Sequence, residues 1–220
     1  MRVHFILKRK QRTVHPFDFP ASTKTVRGAG SDYYNFIDQT YFQNFKNQRI
    51  LEIAPFVGLH SKLIANKQPK YFKCIEGDQL NLEKLKQIPN IDEIVIDDAW
   101  LAINKEELFD IVICYGLLYH HHSSLQLIEQ IVNFCKPKYL LIDCVTAEHP
   151  LAYNAESAGS SGNRQVRNNW KQAGVNLKTP FFIINQSMFN MDYQLEQAHH
   201  MNFDDFSKNN SWVASWKIKE

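Results

Sequence analysis

The sequence has little that would place it across a membrane, in an oxidising compartment or on a polyanion. No uninterrupted apolar stretch approaches the roughly 18 residues that a membrane-crossing helix needs, which excludes a helical span. The short apolar stretch at the start comes before Lys8, Arg9, Lys10 and Arg12. It is too brief and in the wrong order for an export signal, so a cytoplasmic protein is expected. There are four cysteines, Cys74, Cys114, Cys135 and Cys144, with no Cys-x-x-Cys spacing, and three of them fall inside apolar runs. Buried free thiols in a reducing compartment are therefore expected. Basic and acidic residues nearly cancel, 25 against 23, and the stretch around Lys8 is the only dense basic one, so charge does not indicate a nucleic-acid partner. The fingerprint Gly-x-Gly-x-x-Gly is missing after the first apolar run, which argues against a nicotinamide-dependent oxidoreductase.

What is present is the pattern of one well-filled domain: 220 residues, 44% apolar and 22% charged. Apolar runs at 49–53, 71–75, 91–96, 109–114 (FDIVIC) and 139–145 (YLLIDCV) alternate with stretches at helical spacing. In one of these, 124–135, Leu125, Ile128, Ile131, Val132 and Cys135 recur on a single face. Near-continuous apolar strands between amphipathic helices require a parallel sheet covered on both faces, so the class is α/β, doubly wound. Residues 1–48 read as a lid or entry segment, with a strand over 3–7 and an aromatic-rich helix over 32–46 behind a Gly-Ala-Gly-Ser turn. Residues 49–145 form the binding core, and 146–186 an insertion over the active site that contains the small, polar stretch 155–163. Residues 187–220 close the fold: Ser187 caps a helix over 188–199, and 211–219 alternates as a strand of an antiparallel hairpin that completes seven strands.

Ligands in open parallel sheets lie beyond the carboxyl ends of the strands, where strand order reverses. The first strand runs into Glu52-Ile53-Ala54-Pro55-Phe56-Val57-Gly58, the second ends Glu76-Gly77-Asp78, and the third ends Asp97-Asp98-Ala99. The fourth ends Cys114-Tyr115-Gly116, before Leu117-Leu118-Tyr119-His120. This order of tip acids and turns resembles the class I S-adenosylmethionine-dependent methyltransferases, over about residues 50–145 and more weakly through the closing hairpin. The resemblance implies a Rossmann-like methyltransferase fold with S-adenosylmethionine as cofactor. Glu76 would accept from both ribose hydroxyls, Asp98 from the adenine amino group, and the backbone of Ala99 would lie against the ring. Glu52 would help to position the methionine end, backbone from Ala54 and Pro55 to Gly58 would approach the cofactor closely, and Tyr115 would line the same cleft. Where that family has glycines, this chain has Ala54 and Phe56, so the turn must be built differently: Phe56 accepts positive φ poorly, and Pro55 has a fixed φ. S-adenosylmethionine carries no pyrophosphate for a glycine-lined helix N-terminus to hold, so the loss matters less than it would for NAD.

Residues 109–127, with their Leu-Tyr-His core, and the Gly58-Leu59-His60 segment are similar to tRNA wobble-uridine carboxymethyltransferases and related enzymes. Tyr119 and His120 are then expected to face the acceptor, His120 as a general base near its ordinary range. His120, His121 and His122 do not form a metal site, because adjacent side chains diverge. Acceptor-side candidates are Arg27, Tyr33 and Tyr34 before the core, and Asn154, Arg164, Arg167 and Trp170 in the insertion. The fourth strand is followed by neither Asp/Asn-Pro-Pro-Tyr/Phe nor Pro-Cys, which sets aside exocyclic base amines and cysteine-assisted pyrimidine carbon as acceptors. A small-molecule or modified-nucleoside acceptor is expected. The alternative is a methyltransferase-like binding or partner module without turnover.

Overall fold

The computed structural model describes residues 45–118, 124–145, 154–157, 175–178, 181–201 and 211–219. Five strands follow one another as the apolar runs require: β1 (Arg49–Ile53), β2 (Tyr71–Glu76), β3 (Glu93–Ile96), β4 (Ile111–Cys114) and β5 (Tyr139–Val145). Between them lie α1 (Leu59–Asn66), a 3-10 turn at Gln79–Asn81 running into α2 (Leu82–Leu85), α3 (Ala99–Ala102) and α4 (Ser124–Gln130). Helix α4 widens into a π-helical segment, Ile131–Cys135, and Lys136 ends it in the left-handed conformation, so the expected 124–135 helix is present with a wider last turn. The strands β6 (Asn154–Ser157) and β7 (Val175–Lys178) pair as a separate antiparallel ribbon, and the chain closes with α5 (Phe181–Asn190), β8 (Tyr193–Met201) and β9 (Ser211–Ile218).

The main sheet has seven strands in the order β3-β2-β1-β4-β5-β9-β8. Strands β1 to β5 are mutually parallel, while β9 runs antiparallel to both β5 and β8. The expected doubly wound class and closing hairpin are both present. Strand order reverses between β1 and β4, so a crevice opens at their carboxyl ends. The period of two along β1 divides the core: Leu51 and Ile53 join one apolar layer with Val112, Cys114, Leu140, Ile184 and Trp216, while Ile50 faces the other with Phe72, Ile64, Leu85 and Ile113. Toward the opposite ends of the strands, Lys73 bridges Glu93 at 3.1 Å and Glu107 at 2.6 Å, and the Arg49 guanidinium lies 4.3 Å from the Tyr71 ring centre.

Two expectations are corrected at the carboxyl end. Residues 188–199 are not one helix behind a Ser187 cap: α5 already runs from Phe181, inside the expected insertion, and stops at Asn190. A turn with Asp192 at φ 63° follows, and then strand β8. The start signal overlooked in the sequence is Thr179-Pro180 just before the apolar Phe181-Phe182-Ile183-Ile184. Pairing with β9 decides the rest, since eight register pairs from Tyr193↔Ile218 to Met201↔Ser211 outweigh the helical propensity of Gln194, Leu195 and Glu196. Tyr193 is buried and donates to the Pro137 carbonyl, and the Trp216 indole donates to Asn185 at 3.0 Å, which locks α5 and the hairpin onto the sheet. The aromatic-rich helix over 32–46 lies outside the described residues except at its end, where Phe45 is buried and Gln48 donates back to its carbonyl at 3.2 Å in a turn leading to β1.

Candidate functional site

The loop from β1 to α1 forms the floor of the crevice. Its first N–H, from Ala54, extends the β1–β2 ladder by donating to Ile75 at 2.8 Å, and Gly58 donates to the Pro55 carbonyl at 3.0 Å. Ala54, Phe56 and Gly58 have φ of 58°, 60° and 75°, so three alternate residues are left-handed at the positions where glycine was expected. The sequence anticipated a differently built turn; the turn instead keeps a glycine-like backbone with alanine and phenylalanine in it. Each non-glycine residue there costs roughly 1–2 kcal/mol. Gly58 is required twice over, because a Cβ on it would sit 2.2 Å from Ile88 Cδ1 and 2.9 Å from Leu85 Cδ2, in addition to its positive φ.

Glu76, at the tip of β2, holds this loop. Its Oε2 accepts the Phe56 N–H at 2.8 Å and its Oε1 the Asp78 N–H at 2.7 Å, while Asp97 donates to its backbone carbonyl at 3.1 Å. Glu76 therefore joins the tips of β1, β2 and β3, its carboxylate holding the first two and its backbone carbonyl the third. Burial pushes its pKa up to about 7, against the opposing pull of the Asp78 and Phe56 N–H groups and of the buried Asn81 amide.

The other sequence-derived residues divide between two places. Glu52 lies on the same face of β1 as Ile50, toward the α1 layer, and does not enter the crevice. Its Oε2 accepts from Ser61 Oγ at 2.5 Å and lies 3.9 Å from Cys74 Sγ, and its Oε1 is 3.3 Å from His60 Nδ1. Tyr115, expected in the cleft, is buried on the same side with its ring centre 5.4 Å from that of His60. Glu52, His60, Ser61, Cys74 and Tyr115 thus form one buried polar cluster beneath the loop, in which burial and the Glu52 charge drive the Cys74 thiol well up and leave it unreactive. Asp98 caps α3, accepting the Trp100 N–H at 2.9 Å, with Ala99 buried behind it.

Sequence reasoning passed over Ser61, Asn81 and Asp143, and placed His60 only through a resemblance. The signal for the first was available: His60, Ser61, Ile64 and Ala65 are the buried face of α1, at the i, i+1, i+4, i+5 spacing of a helix side. Asp143 is the single acid in the apolar run of β5; it is buried and accepts the Gly116 N–H, fixing the left-handed Gly116 at the end of β4. Tyr119, His120, Arg27, Arg164 and Trp170 lie outside the described residues, as do Tyr33, Tyr34 and Arg167. Of Asn154, only the backbone at the start of β6 is described.

The sequence matches no protein-family model and no curated protein sequence. The fold does have solved counterparts. The N-terminal domain of EvdMO1, in the presence of SAH and D-fucose, is similar over 99% of this chain and 97% of its own, with 15% identity and a TM-score of 0.61. Magnesium protoporphyrin IX methyltransferase from Synechocystis, with SAM bound, matches over 86% of this chain and 79% of its own at 10% identity and TM-score 0.61. The [4+2]-cyclase SpnF matches over 93% and 86% at 9% identity and TM-score 0.68. Several of the structural neighbours are SAM-dependent methyltransferases, and the chain has their α/β, Rossmann-like fold. At these identities the likeness is one of fold, and it does not single out the tRNA wobble-uridine enzymes.

Proposed function

We propose that this chain binds S-adenosylmethionine and transfers its methyl group to a small-molecule or modified-nucleoside acceptor. One observation carries the reading: Ala54 and Phe56 are held left-handed, at a conformational cost, in the loop that Glu76 ties to the strand tips. Strain of this kind persists where a site needs the backbone in that shape. The residues fit a nucleoside. Of the four lone-pair sites on the Glu76 carboxylate, backbone N–H groups take two and the Asn81 amide acts on the group as well, so room remains for a ribose hydroxyl to donate to it.

When bound, the cofactor supplies an electrophilic methyl group whose in-line displacement requires alignment more than proton transfer to the leaving group. Glu76 fixes the ribose, Asp98 and the Ala99 backbone the base, and the backbone of Ala54, Pro55 and Gly58 the amino-acid end. Glu52 acts from behind the loop, holding the first turn of α1 through Ser61 and His60, with Tyr115 packed on the imidazole. Asp143 holds Gly116 and thereby the start of the segment carrying Tyr119 and His120, which face the acceptor; His120 takes its proton. Arg27, Asn154, Arg164 and Trp170 contact the acceptor.

Calorimetric titration with S-adenosylmethionine and S-adenosylhomocysteine tests the reading. Both should bind below millimolar, and Glu76→Ala should weaken binding by about 1.5–3 kcal/mol, as for hydrogen bonds to a charged group. Binding of NAD with neither of these overturns it. Ala54 and Phe56 in place of glycine favour a second reading, a binding module without turnover, and the fold alone does not decide between them since a cyclase shares it. Tight cofactor binding with no transfer to a broad metabolite and tRNA panel selects the module.

A further inference from the structure

Asn81 ends the 3-10 turn that follows β2 and stands directly before α2. An asparagine in that place ordinarily caps the helix, its side-chain oxygen accepting a backbone N–H. Here the side chain gives α2 no such bond, and the residue is only 4% exposed. Its amide bears on Glu76 instead: burial raises the pKa of that carboxyl, and the Asn81 side chain is among the donors that oppose the rise. Yet Nδ2, shut off from water, completes no full hydrogen bond to that group or to any other among the described residues. A buried donor left in that state destabilises a fold, and native proteins keep few of them. The turn beside it leaves room for a partner. A Cβ built on Gly77 would meet only the Asp97 carbonyl, at 3.9 Å, so among the described residues little else fills the space over the glycine next to Glu76.

The two side chains are complementary. An ionised carboxylate only accepts, an amide NH2 only donates, and a hydroxyl does both. A single hydroxyl placed between them donates to Glu76 and accepts from Asn81, which supplies the buried amide with the partner it lacks. Resting on the S-adenosylmethionine reading above, we propose that Asn81 is a further cofactor-binding residue, whose Nδ2 donates to the oxygen of the ribose hydroxyl that donates its own hydrogen to Glu76. The pair thereby makes the subsite selective for a hydroxylated sugar. A nucleoside without that hydroxyl leaves the amide as it is in the free chain and takes one donor from the carboxylate. An amide that served only to prop Glu76 would not make this distinction, since it would affect every nucleoside alike.

Calorimetry on the full chain with S-adenosylhomocysteine and its 2′-deoxy and 3′-deoxy analogues tests the contact. At least one analogue should bind the parent about tenfold or more weakly than S-adenosylhomocysteine does. Asn81→Leu should weaken S-adenosylhomocysteine by about tenfold, yet bind that same analogue within about twofold of the parent, because the contact is already missing. Leucine is close to asparagine in size and leaves no buried donor, so the variant should unfold at the parent's urea concentration or a higher one. Asn81→Ala, which needs no extra room, should repeat the binding pattern, and it decides the matter where the leucine variant fails to reach the parent's circular dichroism. Equal S-adenosylhomocysteine affinity in the parent and the variants overturns the contact and leaves the cofactor reading standing. So does an equal loss for S-adenosylhomocysteine and both analogues, which would make Asn81 a prop for Glu76. A parent that binds no S-adenosylhomocysteine overturns the cofactor reading and this contact together.

Discussion

Glu76 is gripped by two backbone N–H groups, yet burial pushes its carboxyl to about 7 from an ordinary value of 4.5. Between those two values the folded chain holds a proton that the unfolded chain has released. The stability tied to this group is therefore fully present below about pH 4.5 and lost as pH rises through about 7. The unfolding free energy of the parent relative to Glu76→Gln should fall between pH 5 and 8 by on the order of 3 kcal/mol, read from urea melts; a flat difference would mean that the acid titrates normally. S-adenosylhomocysteine affinity should move the other way and rise with pH up to about 7, because ribose hydroxyls donate best to the ionised form. In the neighbouring loop, Gly58→Ala combines left-handed strain with a methyl group driven into Ile88 and Leu85, and should cost about 2–4 kcal/mol in the same melts. Phe56→Gly should have the opposite sign, stabilising by about 0.5–1 kcal/mol as relief of strain exceeds the added chain entropy. A loss of stability there would show that the ring packs more firmly than its partial exposure implies.

At the scale of elements, strand β5 determines how the tip of β4 is presented. Asp143 is buried in β5 and accepts the Gly116 N–H, so Asp143→Ala strands a buried donor and should cost about 1.5–3 kcal/mol. Amide hydrogen exchange over residues 115–118 should accelerate while β1 and β2 stay protected; uniform acceleration would mean global destabilisation and no local clamp. Helix α1 was legible as a helix, but its function as the carrier of His60 and Ser61 to Glu52 was not, because a polar pair at helical spacing reads equally well as solvated surface. The failure at residues 188–199 is of another kind. Their side chains favour a helix weakly, and the unsatisfied edge of β9 recruits them as a strand, a non-local demand that no window of sequence contains.

For the molecule as a whole, the sheet order β3-β2-β1-β4-β5-β9-β8 sets the crevice between β1 and β4 and brings the acids at the tips of β2 and β3 to one rim. If that rim binds S-adenosylhomocysteine, a ligand concentration one hundred times Kd should stabilise the chain by about 2.7 kcal/mol, a rise in Tm of roughly 5–10 °C for a chain of this size. Thermal unfolding with and without ligand checks this, and Glu76→Ala should abolish most of the shift. Among the described residues no helix is long and apolar enough to cross a membrane.

Local chemistry was enough to determine the five core strands, the helical stretch over 124–135 and the acids at the strand tips, since each depends on periodicity or on the position of a charged residue at the end of an apolar run. Glu76 and Asp98 were placed at the tips of the second and third strands in that way. Only the tertiary structure decided what those residues touch. Glu52 turned out to face the α1 layer and not the crevice, Tyr115 packs against His60 with the rings tilted, and Ala54 and Phe56 hold the conformation of the glycines they replace. The physical reason is the same in each case: the period of two along β1 sends Glu52 away from the crevice, and the left-handed turn is sustained by hydrogen bonds from Ala54 to Ile75 and from Phe56 to Glu76, across 21 and 20 residues of chain.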